Sequence, residues 1–147
     1  MKFENYLQQG VTTMVGGNCG SSPFPIGDFF AKTDSTGIGP NLALLIGHNT
    51  IRREVMGTEN RLATETEIKE MQTLVQSAME DGAFGMSTGL KYIPGAYSNL
   101  DEVVALASVV SENDGFYATH MREEGIGLLE SVKEAIDIGK QANLPVQ

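Results

Sequence analysis

The chain has 147 residues, 41% of them hydrophobic and 20% charged, which is one domain's worth of sequence with enough apolar side chains for an ordinary core. Ten Lys+Arg against nineteen Asp+Glu give a net charge of −9, which argues against a protein that grips a nucleic-acid backbone, and no apolar run reaches membrane-spanning length. One cysteine excludes an internal disulfide, and no basic segment followed by an apolar one opens the chain, so a cytoplasmic location is expected.

Phe3, Tyr6 and Leu7, closed by Gly10, read as a short opening helix. Five segments then read as strands buried on both faces: Val11–Val15, Leu42–Ile46, Ala83–Ser87, Phe116–Thr119 and Leu144–Gln147. Each is apolar or β-branched and bounded by Gly, Pro or Asn. Their starts lie 31, 41, 33 and 28 residues apart, the length of one βα unit.

Helices are expected in the later gaps. Thr64 and Glu67 have capping-box spacing, after which Ile68, Met71, Val75 and Ala78 repeat on one face and Gly82 follows the last turn. Asn99 and Glu102 repeat the capping pattern, with Val103, Ala107 and Val110 as the stripe and Gly115 as the stop. A third helix is expected from about Gly127 to Ala142, with Leu129, Val132 and Ile136 on one side. Lys133 and Lys140 fall towards its C-terminal half, where the helix dipole favours cations.

Strand, helix, strand, helix with no adjacent strands predicts an α/β fold with a parallel sheet, either doubly wound or an arc of a (β/α)8 barrel. A closed barrel takes roughly 250 residues, so residues 1–147 would supply about half of one. The ending Leu144-Pro145-Val146-Gln147 reads as the opening of a strand, which predicts a fragment.

Functional groups in α/β proteins collect at the C-terminal ends of strands. The first strand is followed by Gly16-Gly17-Asn18-Cys19-Gly20, the second by Gly47-His48-Asn49-Thr50, the third by Thr88-Gly89-Leu90-Lys91-Tyr92 and the fourth by His120-Met121-Arg122-Glu123-Glu124. Both histidines and the only cysteine therefore fall at one rim. A lone cysteine beside a turn is ordinarily buried and inert; the alternatives are a metal-bound thiolate or a nucleophile. Cysteine and neutral imidazole are natural zinc ligands. Glu123 and Glu124 read as solvated or salt-bridged, with Arg122–Glu124 as one candidate pair. The glycine-rich segment lacks the Lys and Ser/Thr of a phosphate loop, and no nucleophilic-serine elbow is present.

Four ordered motifs resemble the N-acyl-D-amino-acid deacylases (D-aminoacylases) of the amidohydrolase superfamily. They are Gly10-Val11-Thr12-Thr13 leading to Gly17-Asn18-Cys19-Gly20, then Gly47-His48-Asn49-Thr50, Gly85-Met86-Ser87-Thr88-Gly89-Leu90, and Tyr117-Ala118-Thr119-His120-Met121-Arg122. The resemblance covers essentially the whole chain. It implies a (β/α)8 zinc hydrolase, with one or two ions, that cleaves the amide of an N-acyl-D-amino acid through metal-activated water. It implies that residues 1–147 run from about strand two to the start of strand six. By the same resemblance Cys19 and His120 match metal ligands and Tyr92 matches a residue that holds the substrate carboxylate. His48, at the third-strand end, is assigned a role on the substrate side or in support behind it.

The departures are as informative. The family's strand-one His-x-His pair is absent, and so are a later histidine and lysine and the strand-eight catalytic aspartate. No complete catalytic set is expected, and the chain alone is expected to lack deacylase activity. Two other readings compete: Cys19 as a nucleophile with His120 as its base, and an inactive truncated product or binding module.

Overall fold

The computed structural model describes residues 2–147. In chain order the elements are α1 (Glu4–Leu7), β1 (Thr13–Gly16), α2 (Ile26–Thr36), β2 (Asn41–Gly47), α3 (His48–Met56), α4 (Glu65–Glu80), β3 (Gly85–Gly89), a 3-10 turn at Gly95–Tyr97, α5 (Leu100–Glu112), β4 (Phe116–His120) and α6 (Leu128–Ala142). The four strands are parallel and lie side by side in the order β1-β2-β3-β4. A doubly wound sheet needs a point at which strand order reverses. This sheet has none, so it is an arc of a barrel.

The expected fifth strand is reduced to a single bridge. Val146 pairs in parallel with Tyr117, whose N–H donates to Pro145 O at 2.9 Å while Gln147 N–H donates to Tyr117 O at 2.9 Å. β3 is buried on both faces along its whole length, as expected, whereas β1 and β4 keep exposed or half-buried positions. Leu44, Ile46, Met86 and Tyr117 point outward, between 0 and 3% exposed, into a core shared with Met71, Val75, Val103, Leu106, Val110 and Ile138. Each such side chain, fully buried, contributes about 1.5–3 kcal/mol. Tyr117 carries its hydroxyl into this core, where Thr88 Oγ1 meets it at 2.7 Å; burial still pushes its phenol pKa up. The inner face is smaller and wetter, and opens on a cleft of about 390 Å³ lined by Val15, Cys19, Leu45, Phe116, Ala118 and His120, among others.

The helix signals hold unevenly. At α4 the capping box forms in full: Glu67 N–H donates to Thr64 Oγ1, Thr64 N–H donates to Glu67 Oε2, and Met71, Val75 and Ala78 are buried. At α5 only half of it forms. Glu102 N–H donates to Asn99 Oδ1 at 3.0 Å, but the Glu102 carboxylate turns into the protein instead of back to the cap. The helix ends at Glu112, and Asp114, not Gly115, takes the left-handed conformation with φ 56°.

Helices α2 and α3 were not expected. The second has the sequence His-Asn-Thr-Ile-Arg-Arg-Glu-Val-Met and buries His48, Asn49 and Arg52 beside Ile51 and Met56. Buried polar residues break the apolar periodicity by which a helix is recognised. On α6 the buried residues are Ser131, Ala135, Ile138, Gly139 and Ala142, while Leu129, Val132 and Ile136 are exposed at 77, 37 and 47%.

Candidate metal centre at the strand ends

The rim begins with the backbone. Where β1 ends, Gly17, Cys19 and Gly20 all have positive φ (80°, 54° and 76°), turning the chain back across the ends of β2 and β3. Gly20 has no room for a side chain: a Cβ there would lie 2.2 Å from Asn49 Oδ1 and 2.6 Å from Gly89 N. A Cβ on Gly89 would lie 2.3 Å from Cys19 O. The close approach is pinned by side chains. Gly20 N–H donates to Ser87 Oγ at 2.9 Å, the Ser87 hydroxyl donates to Gly17 O, and Asn49 Nδ2 donates to Gly89 O at 3.1 Å. Cys19 is the one residue of this turn held left-handed without being glycine, at a conformational cost of order 1–3 kcal/mol that its surroundings must offset.

This strained turn delivers Cys19 to His120. Cys19 Sγ lies 3.7 Å from His120 Nδ1, across 101 residues of sequence, and the thiol is exposed to the cleft. Tyr92 Oη lies 3.3 Å from the same Nδ1, with the two rings edge to face at a centroid separation of 4.8 Å. On the other side of the ring, Glu124 Oε2 is 3.4 Å from His120 Nε2, outside hydrogen-bond geometry, so Nε2 has no hydrogen-bond partner. Lys91 Nζ reaches the same carboxylate oxygen at 3.4 Å. His120 and then Lys91 hold the Glu124 pKa below the ordinary carboxylate value, and the N–H groups of Gly125 and Glu124 do the same for Glu123.

These distances suit zinc. Sulfur at about 2.3 Å and nitrogen at about 2.0–2.1 Å on one tetrahedral zinc are about 3.6 Å apart, against 3.7 Å here. Metal-bound histidines almost always donate their second ring N–H to a carboxylate, a backbone carbonyl or water; Glu124 is the carboxylate on that side, 3.4 Å away and short of a hydrogen bond. Among the described residues no group of three or more His, Cys, Asp and Glu is placed to hold a metal. Cys19 and His120 therefore fit as two donors of a larger set.

Of the residues singled out from sequence, the structure brings Cys19, His120 and Tyr92 together and sets His48 apart. His48 is fully buried, and its Nε2 meets Glu102 Oε1 at 2.8 Å. Of its two possible roles, this favours support behind the site. Arg122 pairs with Glu134 at 2.9 Å, not with Glu124, because α6 lies against the segment that follows β4, where Glu123 N–H donates to Ser131 Oγ, and brings Glu134 to the guanidinium.

Three side chains to which sequence reasoning gave no site role hold the loop carrying Tyr92, and two carboxylates anchor them. Asn49 Nδ2 donates to Tyr92 O at 3.2 Å, and Arg52 Nε donates to Pro94 O at 3.1 Å. Arg122, singled out only as a salt-bridge partner, donates to Ala96 O and Ser98 O, both at 3.1 Å. Glu102 anchors Arg52 at 2.6 Å and Glu134 anchors Arg122. The one usable signal was the Gly47-His48-Asn49-Thr50 motif running on into Arg52.

No family model matches the sequence. The D-aminoacylase of Alcaligenes xylosoxydans xylosoxydans is 34% identical over 95% of this chain, and the N-acyl-D-aspartate deacylase of the same organism is 31% identical over 95%. The chain spans about a third of the length of each, 34% and 33%. Among solved structures, a D-aminoacylase with a binuclear metal centre superposes with a TM-score of 0.90 at 33% identity. So does the N-acyl-D-glutamate deacylase of Bordetella bronchiseptica in complex with zinc and a phosphonate mimic of the tetrahedral intermediate, also at 0.90 and 33%. Each superposition covers 95% of this chain and 34% of the other. The four-stranded parallel arc thus matches a portion of the D-aminoacylase barrel, and over 95% of its length the chain is a homologue of the N-acyl-D-amino-acid deacylases.

Proposed function

We propose that these residues form part of a zinc-dependent hydrolase that cleaves the amide bond of N-acyl-D-amino acids to a carboxylate and a D-amino acid. The observation that carries this reading is the Cys19 Sγ to His120 Nδ1 separation of 3.7 Å, at the strand C-terminal rim of a chain homologous to such enzymes. What zinc supplies when bound is activation of water near neutral pH and polarisation of the amide carbonyl.

The chain's own residues prepare for this. Cys19 and His120 are the metal donors, with His120 presenting Nδ1 to the shared position while its proton sits on Nε2, facing Glu124. Tyr92, 46% exposed beside His120, holds the substrate carboxylate. Lys91 adds a positive charge beside it and partly offsets Glu124. Asn49, Arg52 and Arg122 fix the backbone of the Tyr92 loop so that only the side chain needs to move. Buried His48 supports Arg52 through Glu102. The remaining donors, and a general base, would come from outside the described residues.

A second reading gains one observation. With Cys19 as nucleophile and His120 as base, Glu124 at 3.4 Å from Nε2 is the nearest acid to a third group, and it would have to close to hydrogen-bond geometry to orient the ring. Alkylation of Cys19 by iodoacetamide, with zinc and then with a chelator, separates the two. A zinc ligand is protected until the metal is stripped; a nucleophile reacts at the same rate in both.

A further inference from the structure

We infer that Tyr92 guards the metal position: its hydroxyl lies 3.3 Å from the His120 nitrogen that a metal shared with Cys19 must use, so metal entry displaces the hydroxyl. The inference rests on the metal-centre reading above and adds to it an order of events.

The imidazole supplies the first step. A ring nitrogen that is not protonated has one lone pair, lying in the ring plane, and that pair takes one partner at a time. Cys19 approaches His120 from the Nδ1 side, so a metal bound by both residues must sit on Nδ1. Glu124 faces Nε2 and favours the proton there, which leaves the Nδ1 lone pair open. Tyr92 Oη, 3.3 Å away, is placed to donate into that same lone pair. A Tyr92–His120 hydrogen bond and a metal on Nδ1 exclude each other.

The loop explains why release would be a side-chain event. The carbonyls of Tyr92, Pro94, Ala96 and Ser98 are all held by Asn49, Arg52 and Arg122. The Tyr92 side chain itself is 46% exposed. A displaced hydroxyl can therefore rotate without the backbone following, and it is then free to donate to an anionic group such as a substrate carboxylate. Linkage requires the converse: a carboxylate that draws the hydroxyl away favours metal binding by the same factor.

Cobalt(II) titration of the full 147-residue chain tests this, with thiolate-to-metal absorption reporting occupancy and tyrosine difference absorption reporting release. Wild type is expected to bind, and Cys19→Ser and His120→Asn to lose binding. Tyr92→Phe, which keeps the ring but removes the competing donor, is expected to bind cobalt about two- to tenfold more tightly. Wild type should show a tyrosine difference signal on loading that Tyr92→Phe lacks. If wild type binds but Tyr92→Phe binds equally or less tightly, or if the tyrosine signal is absent, the guard is overturned and the metal centre stands. If wild type shows no cobalt–thiolate band, the guard is overturned for this chain, while the metal-centre reading stands or falls on the zinc protection of Cys19 from iodoacetamide.

Discussion

Arg52 and Glu102, fifty residues apart in sequence, meet at 2.6 Å with their side chains 0% and 1% exposed. His48 takes the other carboxylate oxygen at 2.8 Å, and Arg52 donates from its other two nitrogens to Pro94 O and Arg61 O. A buried ion pair gains little over apolar packing, but breaking one strands a charge in low dielectric.

Glu102→Ala is therefore expected to lower stability by about 3–5 kcal/mol, measured by urea denaturation. The double variant Arg52→Met/Glu102→Leu should recover part of the loss, because neither charge stays buried. A loss below about 1 kcal/mol in the single variant would show that water reaches the cluster.

The cap of α4 gives a smaller effect. Thr64→Ala should cost about 1 kcal/mol of stability and Thr64→Ser much less, since serine keeps the acceptor for the Glu67 N–H. Equal losses in the two variants would mean that the hydroxyl is not what caps the helix.

Glu67 also sets an acid limit. Its carboxylate receives Arg61 at 2.7 and 2.8 Å and the Thr64 N–H at 2.8 Å, and Arg61 first, then Thr64, holds its pKa well below the ordinary carboxylate range. A folded-state pKa below the unfolded one means the stabilisation is present above the unfolded pKa, about 4.3, and is lost as pH falls through it and on towards the folded value. Glu123 and Glu124 shift in the same direction. Thermal stability should fall as pH drops below about 5, and Glu67→Gln should flatten that fall. An unchanged slope in the variant would remove Glu67 from the account.

The outer side of α6 shows Leu129, Val132 and Ile136 to solvent, with Ile126 fully exposed beside the helix. An apolar stripe of this kind drives association. Sedimentation of the chain should show concentration-dependent oligomers, and Leu129→Lys/Ile136→Glu should shift it towards monomer. A wild-type monomer at high concentration would contradict this.

Only two donors stand at the candidate centre among the described residues. The isolated chain is expected to show no appreciable hydrolysis of N-acetyl-D-amino acids, assayed as release of free amino acid. Cys19-dependent turnover would overturn that expectation and favour the nucleophile reading.

The sequence by itself determined what depends on neighbours in the chain. Strand positions came from short apolar runs closed by glycine, α4 from its capping box, and the parallel βα order from the alternation of the two. The placing of Cys19, His120 and Tyr92 at one rim follows from that order, because a parallel sheet brings all its strand ends to one side. Tertiary structure decided what depends on residues far apart. Glu102 reads as the partner of Asn99 three residues away but turns to His48 and Arg52; Arg122 takes Glu134 in place of Glu124; and α3 buries polar side chains that show no apolar period. Which side of α6 is covered was settled the same way, since Ser131 and Gly139 pack where Leu129 and Ile136 do not. For Glu102, Arg122 and α3 the physical reason is shared: a polar group drawn out of solvent is stable wherever it finds its hydrogen-bond partner, and a partner many residues away leaves no trace in local periodicity; on α6 it is close packing, since a Cβ on Gly139 would lie 2.2 Å from Val146.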